Sequence, residues 1–207
     1  MVTVIAAAVL LALAGWIGAG FVIKRGVREP PFEVLSKDGG FEIRRYPVSI
    51  VAATVVEGPR ELALNEAFRR LAGYIFGGNQ ARAKIAMTAP VAAQRSEKIA
   101  MTAPVGATPV GEGRYRVTFS MPTEYRLDTL PTPNDARVTL EEVPAREVAV
   151  LKFAGRANEA AVEAHTRELV SWTQAQGRTS THAPTLAQYD PPFVFPWLRR
   201  NEILLPF

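Results

Sequence analysis

Phe193, Phe195 and Trp197 alternate through one proline-rich stretch, residues 190–197 (DPPFVFPW), and Arg199 and Arg200 follow at once. Large aromatics in a loop have two readings. The loop can fold back and cap the core, or it can form an apolar lid over a flat ligand, since concave aromatic surfaces suit planar molecules. The other chemistry-bearing residues are few. The chain has no cysteine, which excludes thiol catalysis, cysteine-ligated zinc, iron–sulfur clusters and disulfide frameworks. It has two histidines. His165 falls in helical register with Ala161, Leu169 and Trp172 and reads as a core or boundary residue. His182 lies in the stretch RTSTHAP and is the weak candidate for a metal ligand. No nucleophile elbow, HExxH or phosphate-binding glycine loop is present. Gly77–Gly78–Asn79 is a turn. Glu141 and Glu142 are neighbours in an expected strand, so they point to opposite faces and form no carboxylate dyad. The residues therefore predict a binding protein rather than an enzyme.

An octapeptide, KIAMTAPV, occurs at residues 84–91 and again at 98–105, a period of 14. Within each copy apolar residues alternate, as in a β-strand with one buried face. Residues 92–97 are mostly small or polar and can close a hairpin. The proline near each strand end marks an edge or a terminus. Met87 and Met101 offer thioethers to a metal or cofactor, but methionine on such a face is more often core filler.

The elements that position these residues are legible from pattern. An uncharged run extends from Val2 to Ile23 and, as a helix, would be about 33 Å long, matching a bilayer's hydrocarbon core. It is expected to be an N-terminal single-pass membrane anchor, with a cleaved signal as the alternative. Lys24, Arg25 and Arg28 follow it, which by the positive-inside rule predicts a cytoplasmic soluble domain; a signal would make that domain periplasmic or secreted. The expected division is 1–28, anchor or signal and linker, and 29–207, one domain large enough to bury a core. The charge of +4 comes from scattered arginines without an aromatic-interleaved basic stripe, so nucleic acid is not an expected partner.

Residues 41–58 and 138–155 share one layout: a short strand, a proline break at Pro47 or Pro144, an apolar strand and a glycine. An amphipathic helix follows each. The first spans about 59–76, with Pro59 suited to a first turn and Gly77–Gly78 to a stop; the second spans about 158–176, capped by Asn158 and ended by Gly177. Strands are expected next at 84–91, 98–105 and 114–121 in the first half, and at 185–189 and 202–207 in the second. The fold class is α+β: two pseudo-symmetric β-β-α-β halves, a distorted antiparallel barrel-like sheet and two flanking helices. On the first helix Leu64, Phe68, Leu71 and Ile75 are expected to face the core, with Phe68 at the border of that stripe.

KIAMTAPV, VTFSMPTEY (117–125), LPTPND (130–135), VPAREVAVLKFAGR (143–156) and YDPP…RRNE (189–202) together resemble the SOUL haem-binding protein family over about 32–207. The resemblance implies a two-fold pseudo-symmetric barrel-like fold, similar in architecture to effector-binding domains of bacterial multidrug regulators. It also implies non-covalent binding of haem or other porphyrins in an apolar groove between the first helix and the loop before the last strand. Carried onto this chain, the groove comprises Asn65, Phe68, Arg69 and Ala72 from the helix and Tyr189, Phe193, Phe195, Trp197, Arg199 and Arg200 from the loop. The aromatics would cover the macrocycle, and Arg69, Arg199 or Arg200 would pair its propionates. Asn65 stands where family members can carry a basic residue. Iron commonly takes His, Met, Cys or Tyr; Tyr74 and Tyr189 lie near the implied groove without supporting spacing, so axial bonding is expected to be weak or absent. The function implied is a membrane-anchored tetrapyrrole buffer, carrier or sensor. The alternative is a non-haem small-molecule or protein-interaction module on the same fold.

Overall fold

A computed structural model of the chain describes residues 28–81 and 96–207. Each half opens with two strands joined at a proline. β1 (Glu33–Asp38) precedes β2 (Phe41–Tyr46) and β3 (Ser49–Glu57), and α1 (Arg60–Ile75) follows. After β4 (Asn79–Gln80) come β5 (Val105–Gly111) and β6 (Arg114–Ser120). β7 (Thr132–Pro133) leads to the second half: β8 (Thr139–Val143), β9 (Arg146–Ala154), α2 (Glu159–Ala175), β10 (Thr185–Gln188) and β11 (Arg200–Pro206). The helix limits follow local chemistry. The Asn158 side chain accepts a hydrogen bond from the Ala161 amide at 2.9 Å and so caps α2. Gly177, at φ +72°, turns the chain out of the same helix in a conformation that L side chains resist.

The large sheet runs β1-β2-β9-β11-β10-β5-β6-β3-β8, antiparallel throughout, while β4 pairs β7 separately. Its two ends do not meet, so the expected barrel is an open, curled half-barrel with β1 and β8 at its edges. The pseudo-two-fold lies between β10 and β5. Reading outward gives β10-β11-β9-β2 on one side and β5-β6-β3-β8 on the other. The opening strand of each half is thus exchanged: β2 pairs β9, and β8 pairs β3. Neither half has a complete sheet alone.

Register puts both helices on one face. Ala107 lies opposite Leu186 across the β5–β10 boundary. Ala107 belongs to the cluster under α1, with Ala52, Val117 and Phe119, whereas Leu186 belongs to the cluster under α2, with Leu151, Leu169 and Ile203. The opposite face carries Glu42, Arg44 and Tyr46 of β2, Val148 and Val150 of β9 and Glu202 of β11, all buried.

Three expectations are corrected. Residues 98–104 form no strand. Thr102 makes one isolated parallel bridge with Arg28, and strand pairing starts at Val105. The backbone bonds of this segment are taken up singly: Ile99 N–H donates to the Ile75 carbonyl at 2.8 Å and Ala103 N–H to the Arg28 carbonyl at 2.9 Å. The first octapeptide, including Met87, lies outside the described residues. Met101 packs half-buried against the core, as filler does.

Second, α1 is rotated from its expected setting. Its buried residues are Ala63, Ala67, Leu71, Tyr74 and Ile75. Leu64 is only half-buried, and Phe68 is 40% exposed. Leu71 and Ile75 face the core as expected, but Ala63 and Ala67 share the inner face with them and Leu64 and Phe68 lie at its margin.

The third correction concerns the membrane. α1 and α2 have 16 and 17 residues, short of the roughly 20 that a bilayer requires, and each carries charges. Among the described residues no helix is long and apolar enough to cross a membrane. The run from Val2 to Ile23, on which the single-pass, cytoplasmic-facing reading rested, lies outside them. The localisation drawn from it is withdrawn.

Candidate functional site

α1 rises from the Glu57 end of β3 and runs back over β3 and β6, so its C-terminal half lies over the Ser120 end of the sheet. The β10–β11 loop leaves from that same end. Phe68 meets Phe119 edge-on, with ring centres 5.5 Å apart; Phe119 pairs Val105, and Val105 pairs Gln188, the last residue of β10. Two strand spacings, about 10 Å, therefore separate the Phe68 side of α1 from the root of the loop.

Leu62 and Phe68 on α1 and Phe76 at its C-cap are exposed apolar side chains, 67%, 40% and 59% accessible, with exposed Asn65 and Arg69 and half-buried Ala72 on the same outer side. The Arg69 guanidinium reaches Glu66 only at 3.6 Å. The loop buries Val194 and exposes Phe193, Trp197 and Leu198. Phe195 stacks on Trp197 at 4.8 Å, and the short 3₁₀ turn Pro196–Leu198 packs near β9. The loop thus caps the core with Val194, and the rings of Phe193 and Trp197 stay accessible.

The three arginines differ sharply. Arg199 donates to the Val194 carbonyl at 2.7 Å and to the Pro192 carbonyl, bracing the loop from within. Arg200 lies over the Tyr189 ring, 3.8 Å from its centre, and donates to Glu202 and to Glu29. The Tyr189 hydroxyl also donates to Glu202, at 2.7 Å. Tyr189 and Arg200 thus belong to a buried ionic network on the helix-free face. At its centre Arg44, fully buried, grips Glu202 with two bonds of 2.8 and 3.0 Å and reaches Glu42 at 2.8 Å and the Tyr46 hydroxyl at 3.0 Å. Lys152 closes on Glu42 at 2.6 Å, and Phe32 covers the Arg44 guanidinium at 4.2 Å. Burial pushes the Glu202 carboxyl up, but hydrogen bonds and charge from Arg44, with Tyr189 and Arg200, outweigh it and hold it below the usual glutamate range. Burial and the Glu202 charge raise the Tyr189 hydroxyl.

Sequence reasoning missed this network. Its signal was Glu42, Arg44 and Tyr46 at alternate positions of FEIRRY, three polar side chains on one strand face.

The remaining candidates lie elsewhere. His182 is exposed in the loop after α2, its amide bonded to the Ser180 hydroxyl. His165 packs on Phe153 at 4.3 Å with Glu168 3.3 Å from its Nδ1. Tyr74 is buried and donates to the Pro131 carbonyl at 3.0 Å. Among the described residues no three His, Cys, Asp or Glu side chains group as a metal site. A cleft of about 890 Å³ opens at the same sheet end, beyond β3, with Tyr46, Val48, Ile50, Met121, Leu127 and Leu140 on its walls.

Comparisons with known proteins agree with the fold. The SOUL heme-binding protein family model matches residues 27–206. Heme-binding protein 1 of Xenopus tropicalis is 31% identical over 169 residues, 81% of this chain and 84% of the relative. Heme-binding protein 1 of Mus musculus is 30% identical over 183 residues, covering 84% and 90%. Among solved structures, the EcmrR C-terminal domain superposes with a TM-score of 0.57 at 11% identity, over 80% of this chain and 95% of that one. A hydrolase from Listeria innocua gives 0.54 at 12%, over 83% and 93%. At such identities these two establish only a shared fold. A family match across nearly all the described residues, on two helices laid over one face of a strand-exchanged sheet, makes this chain a member of the SOUL heme-binding protein family.

Proposed function

We propose that the protein binds haem non-covalently between the Phe68 side of α1 and the β10–β11 loop, and that it acts as a tetrapyrrole carrier or buffer without catalysing a reaction. One observation carries this reading: folding leaves Phe68 on α1 and Phe193 and Trp197 on the loop exposed at the same end of the sheet. Exposed aromatic surface rimmed by polar residues is characteristic of binding sites. A porphyrin supplies a broad apolar face and two carboxylates, and the residues fit both. Phe68, Phe193 and Trp197 offer rings, and Arg69, 3.6 Å from Glu66 on the exposed side of α1, offers a guanidinium. The relatives named above are described as heme-binding, which supports the ligand. Holding the ligand by its face and its carboxylates favours reversible loading.

A second reading rests on the 890 Å³ cleft, whose size suits a drug-sized apolar ligand. Haemin titration of the full chain separates the two, followed by the Soret band and beside Phe193→Ala/Trp197→Ala and Val48→Glu variants. Saturable 1:1 binding weakened by the first variant alone supports the α1–loop site. Weakening by Val48→Glu alone moves the ligand to the cleft, and the absence of saturable binding rejects haem.

A further inference from the structure

We propose that Glu202 is the positioning residue of the β10–β11 loop: one buried carboxylate ties both loop ends together and sets the aromatic surface to receive the ligand. The inference rests on the haem reading above and assigns Tyr189 and Arg200 to that task rather than to ligand contact. Tyr189 is the last residue before the loop turns away, and Arg200 opens β11. Both bind the same group. The Tyr189 hydroxyl donates to Glu202 Oε2 at 2.7 Å, and Arg200 donates to Oε1 through Nη2 at 2.9 Å and Nε at 3.1 Å. The backbone repeats the closure: Tyr189 N–H donates to the Arg200 carbonyl at 3.2 Å, and Arg200 N–H to the Asp190 carboxylate at 2.6 Å.

Glu202 cannot move to follow the loop. Its side chain is wholly buried, and Arg44 holds both of its oxygens; Arg44 is itself oriented by Glu42 and Tyr46 on β2. The loop ends are therefore referred to the middle of the sheet rather than to each other alone. Between them the chain buries Val194 while Phe193, Trp197 and Leu198 stay accessible. Arg199 braces the interior of the loop, and the Glu202 contacts fix where that braced unit sits on the sheet. A loop fixed beforehand loses less freedom when the ligand arrives, which strengthens binding without a new contact.

The test uses the full chain, haemin as the probe, and the variants Glu202→Gln and Tyr189→Phe. Tyr189→Phe keeps the ring and the Arg44–Glu202 pair and removes only the loop-side hydroxyl. Two readouts are taken: amide hydrogen exchange of residues 190–199 without haemin, and haemin affinity. The expected result is faster exchange in the loop, unchanged exchange in α1 and the sheet, and haemin affinity lowered about threefold in Tyr189→Phe and about tenfold in Glu202→Gln. If Glu202→Gln loosens the whole domain, Tyr189→Phe decides. Loop exchange unchanged in Tyr189→Phe overturns the proposal, and so does a loosened loop with unchanged haemin affinity. A wild-type chain that takes up no haemin refutes the haem reading itself, whereas one that binds while the variants match it refutes only the role of Glu202.

Discussion

Replacing Arg44 by Met tests the centre of the buried network. The methionine fills similar volume, keeps a soft contact with Phe32 and removes the charge. Breaking a buried pair from one side typically costs about 3–5 kcal/mol, because a desolvated charge is stranded. Two features of this site place the cost at the lower end. Glu202 keeps Tyr189 and Arg200 as donors, and Glu42 keeps Lys152, whose side chain is 38% exposed and so remains solvated. A loss of about 3 kcal/mol, at about 2–4 °C per kcal/mol for a chain of this size, lowers the melting temperature by about 6–12 °C. The double variant Arg44→Met/Glu202→Leu removes the stranded anion as well. Arg200, whose side chain is 36% exposed, can then turn to water and Glu29, so the double variant is expected to regain at least half of the loss. Urea titration and thermal melting by circular dichroism measure both. A fall of less than about 3 °C in the single variant, or a double variant less stable than Arg44→Met, would refute the claim that Arg44 acts chiefly by neutralising Glu202.

Other outcomes follow from the same geometry. A tryptophan side chain presents about 200 Å², and Trp197 is 67% exposed, so covering the rest of it contributes at most about 3 kcal/mol. Trp197→Ala should then weaken haemin by up to about 100-fold by Soret titration, with the melting temperature shifted by less than about 2 °C. Acid should unfold the domain through its depressed carboxylates: Glu42, Glu147 and Glu202 all lie below the ordinary value of 4.5. Their contribution is complete above that value and is lost as pH falls through the lower folded values, so stability measured by urea titration should be flat above about pH 5 and decline below it. Asn79 holds the Glu97 backbone, donating to its carbonyl at 2.8 Å and accepting from its amide at 2.9 Å, so Asn79→Ala, which strands both groups, should cost about 1–3 kcal/mol by urea titration. A Cβ at Gly106 would lie 2.6 Å from Thr118 Oγ1, so Gly106→Ala should cost about 1–3 kcal/mol by urea titration, most of it recovered by Thr118→Ala.

Much of the fold was legible because its signals are local. Pro47 and Pro144 mark the breaks between consecutive strands, Asn158 and Gly177 mark the limits of α2, and each observed helix falls within a residue of its expected span. The short pieces were not legible. Residues 98–104 have strand alternation but lack a neighbouring strand to pair with, and two-residue ladders such as β4–β7 leave no periodicity to read. The candidate site was legible as a set of residue types and not as a set of roles. Phe68, Phe193 and Trp197 are accessible, as a ligand surface requires, whereas Tyr189 and Arg200 are engaged with Glu202.

By itself the sequence determined the family, the two helices with the longer strands before and after them, and the absence of cysteine chemistry, because motifs, caps and breakers act over a few residues. Three matters were settled only in the tertiary structure: the exchange of β2 and β8 between halves, the rotation of α1 that turns Phe68 outward, and the joining of Arg44 to Glu202 across 158 positions. The setting of α1 depends on the sheet it packs against, and the other two depend on register between strands far apart in the chain. A single-residue slip there would reverse which side chains are buried, and no local pattern encodes which distant strand supplies the partner.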